Sequence, residues 1–137
     1  MHGYPKLHKL LLPFSKNLDD EALKEVANGF PELQALDISR CPKITDAGLE
    51  LVIQYNRKLN SLDVSGCNVL NYTTMVSLTR YCRKLRVIRA LNTNITDSGI
   101  NVLLRNPPNK GTRTFSIIAN PSENMEIAAR ITRISIH

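Results

Sequence analysis

Three cysteines are the side chains of this sequence best suited to redox chemistry or metal binding. They are Cys41, Cys67 and Cys82, and the first two occupy equivalent positions of an internal repeat. A repeating fold would place that pair about 4.8 Å apart, one strand spacing, where two sulfurs can form a bond or share a metal. No C-x-x-C pair occurs, and no histidine or third cysteine recurs near them. We therefore predict that they pack as small hydrophobic groups and that the chain holds no metal and no cofactor.

Asp37 and Asp63, which have the same spacing as Cys41 and Cys67, are the second set with chemical potential. Two adjacent carboxylates can act as a catalytic acid and base, because each charge raises the pKa of the other. Their neighbours are serines without histidine, and the sequence has no G-x-S-x-G, P-loop or H-E-x-x-H motif. We predict no catalytic residues and no enzyme activity.

Basic residues are concentrated in the middle of the chain, whose formal net charge is +6. No acidic residue lies between Asp63 and Asp97. Within that interval, five basic residues fall within ten positions: Arg80, Arg83, Lys84, Arg86 and Arg89. This charge favours acidic partners, but its density is far below that of a dedicated nucleic-acid-binding segment.

Two basic pairs, Arg57–Lys58 and Arg83–Lys84, also occupy equivalent repeat positions, and Lys110 follows Lys84 at the same interval. Equal spacing places these five side chains along one edge of a repeating fold, and we call them the basic rim. One interpretation is that they stabilise helix C-termini by charge–dipole interaction and bind nothing. The other is that the rim binds an acidic or phosphorylated protein segment, since arginine makes forked contacts with phosphate.

An internal repeat defines the elements that must hold these side chains. Leu7, Leu33, Leu59 and Leu85 are equally spaced along the chain, and each is followed by apolar residues three and five positions later. The alternation of these two apolar positions predicts a short strand with one buried face. Further apolar columns at a spacing of three predict a helix in the second half of each unit.

Helix start signals occur in three of the units. They are Thr45–Asp46, Thr96–Asp97 and the acidic run at 19–21, which offer a capping oxygen and negative charge for the helix N-terminus. The pattern predicts helices at 20–28, 46–56, 72–82 and 97–105. It also predicts a fifth strand at 112–117, with Phe115 and Ile117 buried, a helix from Glu123 to about Arg130, and a sixth strand at 131–136.

A single strand–helix unit cannot bury its own apolar face, so successive units must stack. We predict one domain over residues 1–137, with units near 7–32, 33–58, 59–84, 85–111 and 112–130 and a terminal strand at 131–137. The fold class is α/β: about five to six parallel strands line the concave face of a short solenoid, and helices cover its convex face.

The segment from Leu33 to Leu49, LQALDISRCPKITDAGL, and a weaker echo from Leu59 to Cys67, LNSLDVSGC, carry a family resemblance. They resemble the cysteine-containing leucine-rich repeats of F-box substrate receptors in ubiquitin ligases and of F-box-less relatives such as the yeast mitotic-exit antagonist. The resemblance implies a leucine-rich-repeat solenoid with a protein-binding concave face, often in ubiquitin-dependent control.

Strand side chains alternate between core and solvent, so Asp37, Asp63 and Arg89 should form a line across the concave face. We predict partner contacts at these and nearby side chains: Asp37, Arg40, Asp63, Arg89, Arg57, Lys58, Arg83, Lys84 and Arg86. The predicted function is a non-enzymatic protein-binding scaffold or adaptor, a component of a larger protein assembly. One alternative is a substrate-receptor-like regulator of a ubiquitin pathway that lacks its F-box.

The second alternative is a binder of nucleic acid or another polyanion through the basic rim. It is disfavoured because Tyr55 and Tyr81, the aromatic residues near the rim, lie at helical positions where we expect them to pack rather than stack on bases. The last strand leaves a sheet edge that we expect another subunit, or further chain, to cover.

The odd number of cysteines predicts an intracellular, reducing compartment, the cytoplasm or the nucleus. The first 18 residues contain three lysines and no acid, so they resemble a transit peptide and mitochondrial import is an alternative. No apolar run approaches the length of a membrane span.

Overall fold

The computed structural model of the chain describes residues 6–108 and 115–120 and the backbone of residues 135–136. Strands and helices alternate through these residues, and each helix begins where the repeat predicts and ends within one residue of its predicted end. In chain order the elements are β1 (Lys9–Leu11), α1 (Asp20–Gly29), β2 (Ala35–Asp37), α2 (Asp46–Tyr55), β3 (Ser61–Asp63), α3 (Tyr72–Tyr81), β4 (Val87–Arg89), α4 (Asp97–Arg105), β5 (Ser116–Ile118) and β6 (Ser135–Ile136).

All the strands belong to one parallel sheet, in the order β1-β2-β3-β4-β5-β6. Helices α1 to α4 pack side by side in the same order, and their buried side chains share one core with those of the strands. The predicted α/β solenoid is therefore confirmed. The predictions for the fifth helix, for Lys110 and for the side chains of the last strand lie outside the described residues.

The core is a ladder of equivalent apolar side chains. The middle residues of consecutive strands are paired in register: Leu10, Leu36, Leu62, Ile88 and Ile117. All but Leu10, on the edge strand, are at most 2% exposed. Burying each such side chain stabilises the fold by about 1.5–3 kcal/mol, so the stacked ladder fixes the strand positions that carry the concave face.

Side-chain caps start three of the helices. Asp19 accepts from the N–H of Ala22 at 3.0 Å, and Thr96 accepts from the N–H of Gly99 at 3.1 Å, as their sequence signals predict. Asn71, which the start signals did not include, caps α3 by accepting from the N–H of Thr74 at 2.8 Å.

Thr45 does not cap its own helix, contrary to prediction. Its hydroxyl and its N–H (2.9 Å) both donate to the carboxylate of Asp20, in the preceding helix. Gly48 makes this approach feasible, because a Cβ there would lie 2.2 Å from the Asp20 oxygen. The start of α2 is thus held by the unit before it, which fixes the stacking of the two helices.

The fifth strand pairs two residues later than the repeat count predicts. Ile117, rather than Phe115, is the partner of Ile88, and Ile136 follows the same shifted register in β6. A shift of two preserves the alternation of faces, so Phe115 and Ile117 are both buried as predicted, at 2% and 0% exposure.

Each of the first four strands leads into a corner with left-handed backbone. Phe14, Arg40, Gly66 and Asn92 occupy the same position in successive repeats and have φ values of 60°, 53°, 75° and 54°. Their equivalence reflects one turn geometry repeated from unit to unit. Only Gly66 adopts it without steric cost, and its missing side chain leaves space for Arg40, whose Cγ would lie 2.7 Å from a Cβ at residue 66.

Candidate functional site

The parallel register places equivalent concave side chains next to one another across the sheet. The row nearest the strand starts contains Lys9, Ala35, Ser61, Val87 and Ser116. The second row contains Leu11, Asp37, Asp63, Arg89 and Ile118. Each of these side chains is exposed or half-buried. The structure therefore presents the predicted face, including the adjacent Asp37, Asp63 and Arg89.

Asp37 and Asp63 also have a local structural role. One carboxylate oxygen of Asp37 accepts from the N–H of Ser39 at 2.9 Å, and Asp63 accepts in the same way from Ser65 at 3.0 Å. These bonds close the corner that follows each strand. Each aspartate can still offer its second oxygen to a partner, but its orientation is set by the fold.

The arginines of this face have different surroundings. The guanidinium of Arg40 lies over the ring of Phe14, 5.2 Å from its centroid, and Phe14 is itself 63% exposed. Arg89 is exposed beside Asp63 in register but makes no ion pair with any described residue. Asp37, Asp63 and Arg89 are thus neighbours across the strands, as predicted, but Arg89 forms no salt bridge with either aspartate.

The basic rim lies where α2 and α3 end and the following strands begin. Arg57 donates through Nε to the carbonyl of Gln54 at 3.0 Å, and its guanidinium lies 5.3 Å from the ring centroid of Tyr81. This contact with a helix C-terminal carbonyl is what the charge–dipole interpretation predicts. Arg57 is therefore engaged within the chain.

Lys58 is paired with Glu32, an acid that the sequence interpretation did not include. The two charged atoms are 2.6 Å apart, and the lysine holds the pKa of the Glu32 carboxyl below its ordinary value, chiefly through this hydrogen bond. Glu32, Lys58 and Lys84 occupy equivalent positions of successive repeats. A comparison of the charged residues at this repeat position would have identified the Glu32–Lys58 pair.

The other half of the rim has no such partner. Arg83 and Lys84 are exposed, and neither forms a hydrogen bond or ion pair with its side chain among the described residues. Lys84 contributes only a weaker charge interaction with Glu32. Arg86, immediately before β4, and Arg89, its last residue, are likewise exposed and unpaired within the described part of the chain.

Two hollows occur near these residues. One, of about 360 Å³, lies at the strand starts and is lined by Asn60, Ser61, Arg86, Val87 and Ser116. The other, of about 440 Å³, is a groove between α3 and α4 on the helical side. The sequence prediction named Arg86 as a binding residue but not Asn60, Ser61 or Ser116, and Ser116 is the partner of Val87 only through the shifted register of β5.

The three cysteines are reduced and buried, as predicted. The thiols of Cys41 and Cys67 each donate to a backbone carbonyl at 3.2 Å, and Cys82 does so at 3.8 Å. Burial raises the pKa of all three thiols, in the case of Cys82 to about 12. Thiols that hold their protons this firmly are poor nucleophiles and poor metal ligands.

Tyr55 contradicts one expectation, since it is 60% exposed rather than packed. Tyr81 is half-buried and packs against the core as predicted. No group of histidine, cysteine, aspartate and glutamate within the described residues is arranged to hold a metal ion. Among the same residues, no helix has both the length and the apolar character needed to cross a membrane.

Residues 32–52 and 55–72 match the family model described as Leucine Rich repeat. These matches support a leucine-rich-repeat protein. The matched segments contain β2, most of α2 and β3, and the two strands carry the central part of the concave face. A search of curated proteins found no match. Leucine-rich-repeat domains generally mediate protein–protein interaction and are typically non-enzymatic, in keeping with a face built for contact.

Proposed function

We propose that this leucine-rich-repeat protein is a non-enzymatic scaffold or adaptor whose concave face binds an acidic segment of a partner protein. One observation carries the proposal. Four neighbouring cations, Arg83, Lys84, Arg86 and Arg89, form no hydrogen bond or ion pair through their side chains with any described residue. We call them the unpaired cluster.

The charge–dipole interpretation does not account for the whole of this cluster. It explains Arg57, which contacts a helix C-terminal carbonyl. Arg83 and Lys84 directly follow the C-terminus of α3, but Arg86 immediately precedes β4 and Arg89 is its last residue. Cations that have no hydrogen bond or ion pair among the described residues and adjoin a solvent-facing sheet favour an external acidic partner.

The centre of the face suits an extended segment. The first row holds small side chains at Ala35, Ser61 and Ser116, which allow close approach. Fixed carboxylates at Asp37 and Asp63 would accept from a partner's N–H groups, while arginine makes charge-assisted contacts of about 1.5–3 kcal/mol each. We therefore propose nine binding residues: Asp37, Arg40, Asp63, Arg89, Arg57, Lys58, Arg83, Lys84 and Arg86.

The proposal extends to the assembly in which the chain acts. A substrate-receptor-like role in a ubiquitin pathway is supported by the residues that carry the family resemblance, and recovery of ligase subunits with the chain would favour it. Binding of nucleic acid is supported by the exposed ring of Tyr55, which lies beside Arg57 and Lys58. Cover of the β6 edge by another subunit stays a prediction.

The test compares charge reversal inside and outside the cluster. One variant changes Arg83, Lys84, Arg86 and Arg89 to glutamate, and a matched control changes Lys6, Lys16, Lys24 and Lys43, which are exposed elsewhere. Affinity capture from native extract with mass spectrometry is repeated for both. We expect the cluster variant alone to lose its partner proteins.

Two results would overturn the proposal. The first is an unchanged partner set with the cluster variant, which would make these cations a solvated face. The second is binding to oligonucleotides that is tighter than binding to an Asp/Glu-rich peptide and falls steeply with salt, which would indicate a nucleic-acid binder.

A further inference from the structure

The hollow at the strand starts has the composition of an anion-binding site. Its polar lining residues are Arg86, Asn60, Ser61 and Ser116, whose side chains carry guanidinium, amide and hydroxyl donors. No acidic residue lines it. None of these four side chains has a hydrogen-bond partner among the described residues. The hollow therefore offers several unused donors to one ligand.

The sheet itself holds these donors in place. Ser61, Val87 and Ser116 are paired in register on three adjacent strands. The carbonyl of Asn60 accepts from the N–H groups of Arg86, at 2.8 Å, and Val87, at 3.1 Å. The backbone that carries the donors is thus fixed before a ligand arrives, which lowers the entropic cost of binding.

We propose that this hollow binds the phosphate monoester of a phosphorylated serine or threonine in the partner's acidic segment, an inference that rests on the proposed function. A monoester has three terminal acceptor oxygens and a charge near −2 at neutral pH. The forked guanidinium satisfies two of the oxygens, and the amide and hydroxyls satisfy the third. A carboxylate would leave part of this donor set unused.

The lining argues for a single protein-borne phosphate. One arginine lines the hollow, whereas polyphosphates and nucleic-acid backbones need several cations at successive phosphates. The hollow also opens on the concave face, beside the residues proposed to bind an extended polypeptide. Lys84, two residues before Arg86, adds positive charge at the same end of the strand.

The test uses the full chain labelled with ¹⁵N and a phosphoserine flanked by two glycines on each side. Its counterparts carry serine or glutamate in place of phosphoserine, and all titrations are run at constant ionic strength. We expect saturable shifts of the amide resonances of Ser61, Arg86, Val87 and Ser116 with the phosphopeptide. The serine peptide should bind at least tenfold more weakly, since it lacks the charge-assisted contacts.

Variants separate the hollow from general charge attraction. Arg86→Gln should weaken phosphopeptide binding by about tenfold or more, whereas Arg80→Gln, the same change on an exposed arginine of α3, should leave it unchanged. Ser61→Ala with Ser116→Ala keeps the charge but removes two donors, and should weaken binding severalfold. Dispersed amide spectra confirm that each variant is folded.

Three outcomes would overturn the inference. Equal losses for Arg86→Gln and Arg80→Gln would show unspecific attraction. Equal affinity for the glutamate and phosphoserine peptides would show an acidic site without phosphate preference. Tighter Arg86-dependent binding of oligothymidylate or inositol hexakisphosphate would assign the hollow to another class of ligand. Either of the first two outcomes, with capture still dependent on the unpaired cluster, would leave the proposed function standing.

Discussion

Removing the thiol of Cys82 should abolish part of the alkaline instability of this protein. Cys82 is fully buried, and burial raises its pKa from the ordinary value of 9.0 to about 12, with a smaller contribution from the charge of Glu50. The unfolded chain therefore releases this proton at a pH where the folded chain keeps it. The resulting stability is fully present below pH 9 and is lost as the pH rises toward 12.

The magnitude follows from the linkage between protonation and folding. Each pH unit above 9 costs about 1.4 kcal/mol for this one group. Between about pH 8 and pH 10.5, the thiol should remove about 2 kcal/mol from the free energy of unfolding. Because tyrosines and lysines titrate in the same range, the relevant quantity is the difference between the wild type and Cys82→Ala.

Urea unfolding followed by circular dichroism at several pH values measures that difference. Cys82→Ala will be less stable at neutral pH because it leaves a small cavity, but its stability should fall less steeply with pH. Cys41→Ala serves as a comparison. It removes another thiol with a raised pKa, which lies in a corner rather than at a helix end. Parallel pH profiles for the wild type and Cys82→Ala would refute the reasoning.

Three further predictions concern contacts between repeats. Asn56→Ala removes the 2.7 Å bond from its buried amide to the Phe30 carbonyl and should lower the free energy of unfolding by about 1–2 kcal/mol in urea titrations; no loss would mean that the bond is not stabilising. In Gly66→Ala, the alanine must adopt a φ near +75°, which should lower the free energy of unfolding by about 1–2 kcal/mol in the same assay. An unchanged free energy of unfolding would mean that the turn changes to another type. Glu32→Gln frees Lys58, so an Asp/Glu-rich peptide should bind about twofold more tightly by fluorescence anisotropy at low salt; equal affinity would place Lys58 outside the binding surface.

The repeat determined how much of the fold could be predicted. Leu36, Leu62 and Ile88 fall at equal intervals, and a parallel sheet converts equal intervals into adjacency in space. Helix starts and strand faces followed from the same spacing. The shift at Ile117 could not be predicted, because the interval from Ile88 to Ile117 differs from the interval between the earlier repeats and alternation alone permits a slip of two residues.

The binding face was less predictable than the fold, because sequence spacing shows which side chains are neighbours but not which are already engaged. Arg57 and Arg83 are equivalent in the repeat, yet only Arg57 contacts a helix carbonyl and an aromatic ring. Thr45 carried a capping signal but bonds to Asp20 in the preceding unit. Such choices depend on contacts between units, which no single unit encodes.

The second row of the concave face changes from aspartate to arginine at one boundary, and this constrains how the proposed partner can lie. Asp37 and Asp63 are followed by Arg89. Of the donors in the hollow, Arg86 and Ser116 lie on the arginine side of that boundary, and Asn60 and Ser61 lie at the start of β3. A segment that crosses the strands would therefore place donor groups over β2 and β3 and its acidic end over β4. The reverse orientation would oppose like charges at both ends. The binding direction thus follows from a single aspartate-to-arginine change between consecutive repeats.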